Sequence, residues 1–393
     1  TVNGGTTRIG GATGFGTGTG TLNLAGTTPV LDIVSNLTMP TGVTWNLSGT
    51  TPTLDSSAVS AVSFTVPSVD TLNLTGATVT NKVNVTNQGT LNLSTVTVDG
   101  TLANSAALNI AAFTSSTVNG ALTNTNTGTI LMSSGSTGLT VANGFVNQGL
   151  IDLQNNAGGY VSTLNVSAGT LVNALGATLR SSGTSGTVAN TLNAQVTNNG
   201  TLDVQLPLSI SSFTANAGTI TLSNSATLSN NNANLTNTGT IQGIGTVNVG
   251  AGNTLTNQGT ISPGSSPGTL TVSGNLTMTG TSVTNIEIQP PGVTTGTDYD
   301  RINVSGAVTF GGTLNVMHLG GFAPTTNQQF QVMTYGSRVG TTDFATVNVP
   351  LGSTYSRAFA TTNLTLTALS ALAVNTWNTD SNGDWNTAGN WSL

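Results

Sequence analysis

One phrase recurs along this chain and fixes most of what it can fold into. It reads Asn-Asn-Gly-Thr-Leu-Asp-Val at 198–204, Asn-Ala-Gly-Thr-Ile-Thr-Leu at 216–222, Asn-Thr-Gly-Thr-Ile-Gln at 237–242 and Asn-Gln-Gly-Thr-Ile-Ser at 257–262. Its glycines, Gly200, Gly218, Gly239 and Gly259, are 18, 21 and 20 residues apart. The phrase recurs earlier at Gly89, Gly128, Gly149 and Gly169, where the steps are 39, 21 and 20. The stretch 106–110 fills the double step. A near-constant period of this size means that one supersecondary unit is stacked on copies of itself.

Each phrase reads as a corner followed by a strand. Asn and Gly tolerate left-handed backbone angles, so Asn-x-Gly predicts a corner. The residues after it alternate, with Leu202 and Val204 on one face and Thr201 and Asp203 on the other. Upstream lies another short alternating piece, such as Leu235-Thr236-Asn237. One period then holds two or three short strands, and stacking buries an apolar face that no single unit could bury. Parallel in-register stacking places like residues above one another, which predicts Asn ladders at the corners and Thr rows on the outer face. The expected fold is all-β: a parallel β-solenoid, or β-helix, with ~20-residue rungs. About 20 rungs rising 4.7–4.9 Å each would make a rod on the order of 95 Å long.

Composition agrees with an elongated fold. The chain has 393 residues, more than one ordinary core serves, but a solenoid grows along one axis without that limit. Only 5% of residues are charged, against about 25% in typical soluble domains, yet the regular Leu, Ile and Val separate the chain from disordered sequences. There is no cysteine, which excludes disulfides and thiolate metal sites. The six basic residues are scattered and the net charge is −6, so no nucleic-acid partner is expected. The longest apolar run, 368–374, is too short for a membrane span. The chain begins at Thr1 without a signal-peptide pattern, so it is expected to be a mature or excised piece of something longer.

Four segments follow from the patterning. Residues 1–86 hold irregular rungs, with Leu24, Leu47 and Leu74 as equivalent positions 23 and 27 residues apart and Pro29, Pro40, Pro52 and Pro67 at corners. Residues 87–262 are the regular repeats. Residues 263–374 carry longer strands and most of the Phe and Tyr, introduced by two Pro-Gly turns at 263–264 and 267–268. Residues 375–393 form a tail rich in tryptophan.

The order of motifs across 87–367 resembles a known group. It runs Ser262-Pro-Gly-Ser-Ser-Pro-Gly-Thr-Leu-Thr-Val, Gly274-Asn-Leu-Thr, Asp298-Tyr-Asp-Arg-Ile-Asn-Val-Ser-Gly, Gly312-Thr-Leu-Asn-Val, Gly320-Gly-Phe-Ala-Pro, Phe330-Gln-Val-Met-Thr-Tyr-Gly and Leu364-Thr-Leu. This is similar to large bacterial surface exoproteins, the autotransporter passengers and filamentous-haemagglutinin-like proteins. The tail, Trp377 to Trp391, resembles the opening of the autotransporter-associated strand repeat of such exoproteins. The resemblance implies a secreted, parallel β-helical protein of a bacterial cell surface with an adhesive or structural role.

Candidate chemistry is sparse. The chain has one Glu (Glu287), one His (His318) and one Lys (Lys82). Polysaccharide cleavage needs carboxylates in pairs about 5–9.5 Å apart, and Asp32, Asp55, Asp70, Asp99, Asp152 and Asp203 are dispersed, mostly at outward strand or turn positions. No catalysis is expected. Asp298, Asp300 and Arg301 form the one charged cluster. A turn capped by Asp with a local ion pair is favoured there over a carbohydrate or acid–base site. His318 is expected at a strand edge, and one His cannot build a metal site. Asp380, Asn382 and Asp384 are spaced like the first ligands of a calcium loop, but no bidentate Glu follows, so an Asp/Asn turn is favoured and no cofactor is expected. Thr-x-Thr pairs, as at Thr219 and Thr221, do not recur on every rung, as an ice-binding face would need.

A solenoid's end rungs expose unpaired backbone and apolar core, and no amphipathic capping helix is evident at either terminus. Unlike ends meeting head to tail do not close, so they propagate as a fibre. Trp377, Trp385 and Trp391 are the candidate junction, or else they pack on their own last rung or on a further repeat module. The expected function is thus a cell-surface structural filament. The alternatives are an adhesin binding a surface glycan and, less favoured, a polysaccharide-degrading enzyme.

Overall fold

The computed structural model describes residues 2–3, 5–9, 20–133, 135–156 and 158–370. Its forty strands belong to one continuous hydrogen-bonded sheet, and none of the described residues is helical. The parallel β-solenoid expected from the period is the fold.

A rung consists of three strands. Val83–Asn87, Thr90–Ser94 and Thr97–Val98 form one, and Leu102–Asn104, Ala107–Ile110 and Ser115–Val118 form the next. Each strand pairs in parallel with its equivalent one rung on, so three ladders run along the axis. We call the faces A (the face of 90–94), B (97–98) and C (83–87). The alternation read from the sequence sets the inside. Leu72, Leu91, Leu108, Ile130 and Ile151 form one column on face A, and each is at most 1% exposed. Burying such a side chain contributes about 1.5–3 kcal/mol, and the column repeats that gain on every rung. Leu24, Leu47 and Leu74 stack as their spacing predicts. The outward Thr row expected beside them is present, with Thr178, Thr201, Thr219, Thr240 and Thr260 in register.

Asparagine supplies a short side-chain ladder through Asn285, Asn315 and Asn348 at 2.8–2.9 Å and two long ones. The inner one lies at the corner between faces C and A, where the Nδ2 of Asn87 donates to the Oδ1 of Asn104 at 2.7 Å. The same bond links Asn104, Asn124, Asn147, Asn173, Asn198, Asn216, Asn237 and Asn257 in turn at 2.7–2.8 Å. All nine are at most 1% exposed, so each amide must find its partners inside the protein. The ladder ends where Asn257 meets Met278 in the next rung. An outer ladder on face A joins Asn23, Asn46, Asn73, Asn92 and Asn109 at 2.6–2.8 Å, with the donors pointing the other way, from each rung to the one before.

The structure corrects three readings. The corner glycines are not left-handed. Gly149, Gly218 and Gly239 are needed because the corner below comes too close: an added Cβ would lie 2.1 Å from the Gly128 carbonyl oxygen, 2.1 Å from that of Gly200 and 1.9 Å from that of Gly218. Gly169 is not equivalent to them. It sits inside the strand Ser162–Asn173 at φ +79°, and the true corner of that rung is Asn173 to Ala177, followed by Thr178 in register with Leu150. Rungs also vary in length, from 17 residues between Thr90 and Ala107 to 33 between Thr313 and Thr346. Face A stacks sixteen described strands, from Val2–Asn3 to Thr346–Asn348, and their rise gives a rod on the order of 70 Å rather than 95 Å.

The C-terminal end is not an open rung on face B. Gln329–Arg338 pairs in parallel with Arg301–Thr309, but Asn363–Ser370 then lies antiparallel to it, and Thr354–Phe359 lies antiparallel to Asn363–Ser370. Aromatic side chains fill the space beneath. Phe310 meets Tyr335, Phe344 and Phe359 edge to face at 4.9–5.6 Å, and the Arg338 guanidinium lies 3.9 Å from the Phe359 ring centroid. On face A, Thr346–Asn348 remains an edge, with no described strand beyond it.

Candidate functional site

The charged cluster at 298–301 has a structural job. Asp298 caps a turn by accepting the backbone N–H groups of Val293 at 3.0 Å and Thr294 at 2.7 Å. Asp300 is fully buried. One oxygen accepts the Gly268 N–H at 2.7 Å and the other accepts the Glu287 N–H at 2.8 Å. Burial raises its pKa to about 7, against the opposing pull of those two N–H groups. The expected ion pair is absent. The Arg301 Nε donates to Asn303 Oδ1 at 2.6 Å, because both side chains point outward from one strand two residues apart.

The dispersed aspartates are less exposed than expected. Asp32, Asp70 and Asp152 are at most 5% exposed. Corners leave backbone N–H groups unpaired, and these carboxylates take some of them up: Asp70 accepts from Val43 at 3.0 Å and Asp32 accepts from Ser57 at 2.7 Å. The ion pairs among the described residues join Arg8 to Asp32, Arg180 to Asp203 and Arg357 to Asp343. His318 ends the strand Thr313–His318 and shares a 2.6 Å hydrogen bond with the Tyr355 hydroxyl. Burial pushes the His318 pKa below its usual value and the Tyr355 pKa above its own. No group of three or more His, Cys, Asp or Glu is placed to hold a metal among the described residues. Asp380, Asn382 and Asp384, and Trp377, Trp385 and Trp391, lie outside the described residues.

Sequence reasoning missed a groove at the A–B corner. Its origin is unequal corner length in three successive rungs. Residues 223–225 bulge between Leu222 and Ala226. The rung above turns through Ile244 alone, because Gly243 pairs with Leu222 and Gly245 with Ala226. The third rung loops out again through 265–269 before Leu270 rejoins Gly245. One tight corner between two wide ones leaves a notch of about 310 Å³. Its floor is backbone. Gly243 takes φ +100°, an added Cβ would lie 2.0 Å from the Leu222 carbonyl oxygen, and Gly243 bridges Gly264 across the notch. Its walls carry Thr221, Ser223, Gln242, Ser262, Ser266 and Glu287. Ser266 holds φ +68°, a strained angle for a residue with a side chain. The Asp300 carboxylate fixes the wall from behind, since it ties Gly268 at the end of the loop to the backbone of Glu287. The signal in the sequence was Gly243-Ile244-Gly245, a corner two residues shorter than the one before it and four shorter than the one after it.

No helix among the described residues is long and apolar enough to cross a membrane. No protein-family model matches the chain, and no curated protein matches it.

Proposed function

We propose that this chain is a structural rod of a bacterial cell surface that extends by end-to-end contact into a fibre and performs no catalysis. The observation that supports this reading most is the unbroken parallel ladder on face A from Val2–Asn3 to Thr346–Asn348. A ladder of that length spans distance rather than enclosing a site, and stacked repeats add length without a new core. The motif order at 262–367 supports a secreted exoprotein of the autotransporter-passenger or filamentous-haemagglutinin type. The antiparallel hairpin covers face B at the C-terminal end, so axial contact falls to the face A edge at Thr346–Asn348 and to the tryptophan tail. An adhesin is the second reading, favoured by the polar groove.

Negative-stain electron microscopy of the purified chain, with and without residues 375–393, tests the first reading. Filaments that shorten or vanish on deletion support the tail junction, and filaments of unchanged length and number refute it. An intact chain that stays monomeric at high concentration refutes assembly. Hydrolysis above buffer on a polysaccharide panel refutes the absence of catalysis.

A further inference from the structure

We propose that the notch at the A–B corner is a binding site for a segment of neutral glycan. This goes beyond the rod reading and does not require the rod to polymerise.

The notch has the attributes of a prepared site. Its volume, about 310 Å³, falls at the lower end of the range for ligand pockets, roughly 300–1,000 Å³. Its floor is backbone at Gly243 and Gly264. Its wall is held by a buried carboxylate, and Ser266 is kept at φ +68° on its rim. Such strain persists only where the surroundings enforce it, and it clusters at ligand clamps.

The lining selects the ligand. The Thr221, Ser223, Ser262 and Ser266 hydroxyls both donate and accept, as sugar hydroxyls do. The Gln242 amide offers both roles as well, and its Nε2 donates to the Thr221 hydroxyl at 3.3 Å. Glu287 adds an acceptor at the mouth and takes no part in the ion pairs among the described residues. No Arg or Lys lines the notch, so an anionic ligand gains nothing and meets the Glu287 charge. A single carboxylate makes a poor cation cage, since calcium takes 6–8 oxygen ligands. An extended peptide would need a free strand edge, but here both neighbouring rungs are already paired. An uncharged, hydroxyl-rich ligand remains.

The test uses the full chain on an array of neutral, carboxylated and sulfated oligosaccharides, followed by calorimetry with the neutral oligosaccharide that binds best. Gln242→Ala with Glu287→Ala removes two half-exposed side chains and leaves the core intact, which an unchanged urea midpoint confirms. Affinity for the neutral glycan should fall tenfold or more, on the scale of roughly tenfold per lost hydrogen bond. Lys82→Ala, remote in sequence and exposed, should bind as the native chain does. The proposal is overturned if no neutral glycan binds at millimolar concentration, if only the charged glycans bind, or if the double variant binds unchanged.

Discussion

Replacing Asn198 by alanine tests what the inner ladder contributes. Asn198 accepts from the Nδ2 of Asn173 at 2.8 Å and donates to the Oδ1 of Asn216 at 2.7 Å. Alanine removes both bonds. It also leaves the Asn216 Oδ1 without its donor in a place that is 1% exposed. The Asn173 Nδ2 keeps a second acceptor, the Thr201 carbonyl oxygen at 3.0 Å, so its loss is partial. An orphaned buried acceptor costs about 1–3 kcal/mol and a lost intramolecular bond about 1 kcal/mol, so the variant should be destabilised by about 2–4 kcal/mol. Asn92→Ala breaks two bonds of the outer ladder, but its neighbours are half-exposed and water replaces the lost partners, so it should cost about 0–1 kcal/mol. A long repeat array does not unfold as one unit, so the assay is hydrogen exchange of the local amides, with urea denaturation as support. Exchange should quicken in the rungs at 173–177, 198–204 and 216–222. Adding Asn216→Ala should then cost less than its single effect, because the orphan it removes was already there. Equal costs for Asn198→Ala and Asn92→Ala would refute the argument that burial makes the inner ladder matter.

Three further outcomes are expected. Asp300 has a raised pKa in the fold, so the stability it contributes is complete below its ordinary value of 3.8 and is lost as pH rises to about 7; protection of the amides of 263–268 should fall between about pH 4 and pH 7, and Asp300→Asn should flatten that slope. Gly218→Ala puts a Cβ 2.1 Å from a carbonyl oxygen and should destabilise the chain by at least about 2 kcal/mol in urea, whereas Ala217→Gly next to it should cost under about 1 kcal/mol. Phe310→Ala, at the centre of the aromatic cluster, should cost about 3–5 kcal/mol and quicken exchange in Asn363–Ser370; protection there equal to the native chain would show that the hairpin does not rest on Phe310.

The period, the strand alternation and the Asn ladder were legible because each is a local pattern that stacking merely repeats. What stayed hidden depended on partners. Gly169 carries the same neighbours as a corner glycine, Ala-Gly-Thr-Leu-Val, and only pairing with the rung below shows that Asn173 holds the corner. Strand direction was hidden for the same reason. Leu364, Leu366 and Ala368 alternate like any other strand, and period-2 burial is identical whether the neighbour runs parallel or antiparallel. The notch arises from the difference between three corner lengths, so no single stretch announces it. The Asp298–Arg301 cluster reads as a charged pair in sequence, yet Asp300 faces inward and Arg301 outward, as alternation dictates.

The two asparagine rows differ in how far a fault in one amide can travel. In the inner row each Nδ2 from Asn104 onward also faces a backbone carbonyl oxygen of its own corner, such as that of Gly149 at 3.1 Å, Gly218 at 2.9 Å and Gly239 at 3.1 Å. Those carbonyls fix every amide separately, so the row behaves as a set of independent latches, and a reversed amide meets an acceptor with its oxygen. The outer amides are bonded to one another, with no carbonyl to hold them. Reversing one sets oxygen against oxygen on one side and NH2 against NH2 on the other, and the conflict is relieved only by turning the next. That row tips like a line of dominoes from Asn23 to Asn109, and one surface of the rod transmits over five rungs an orientation that the interior stops at a single rung.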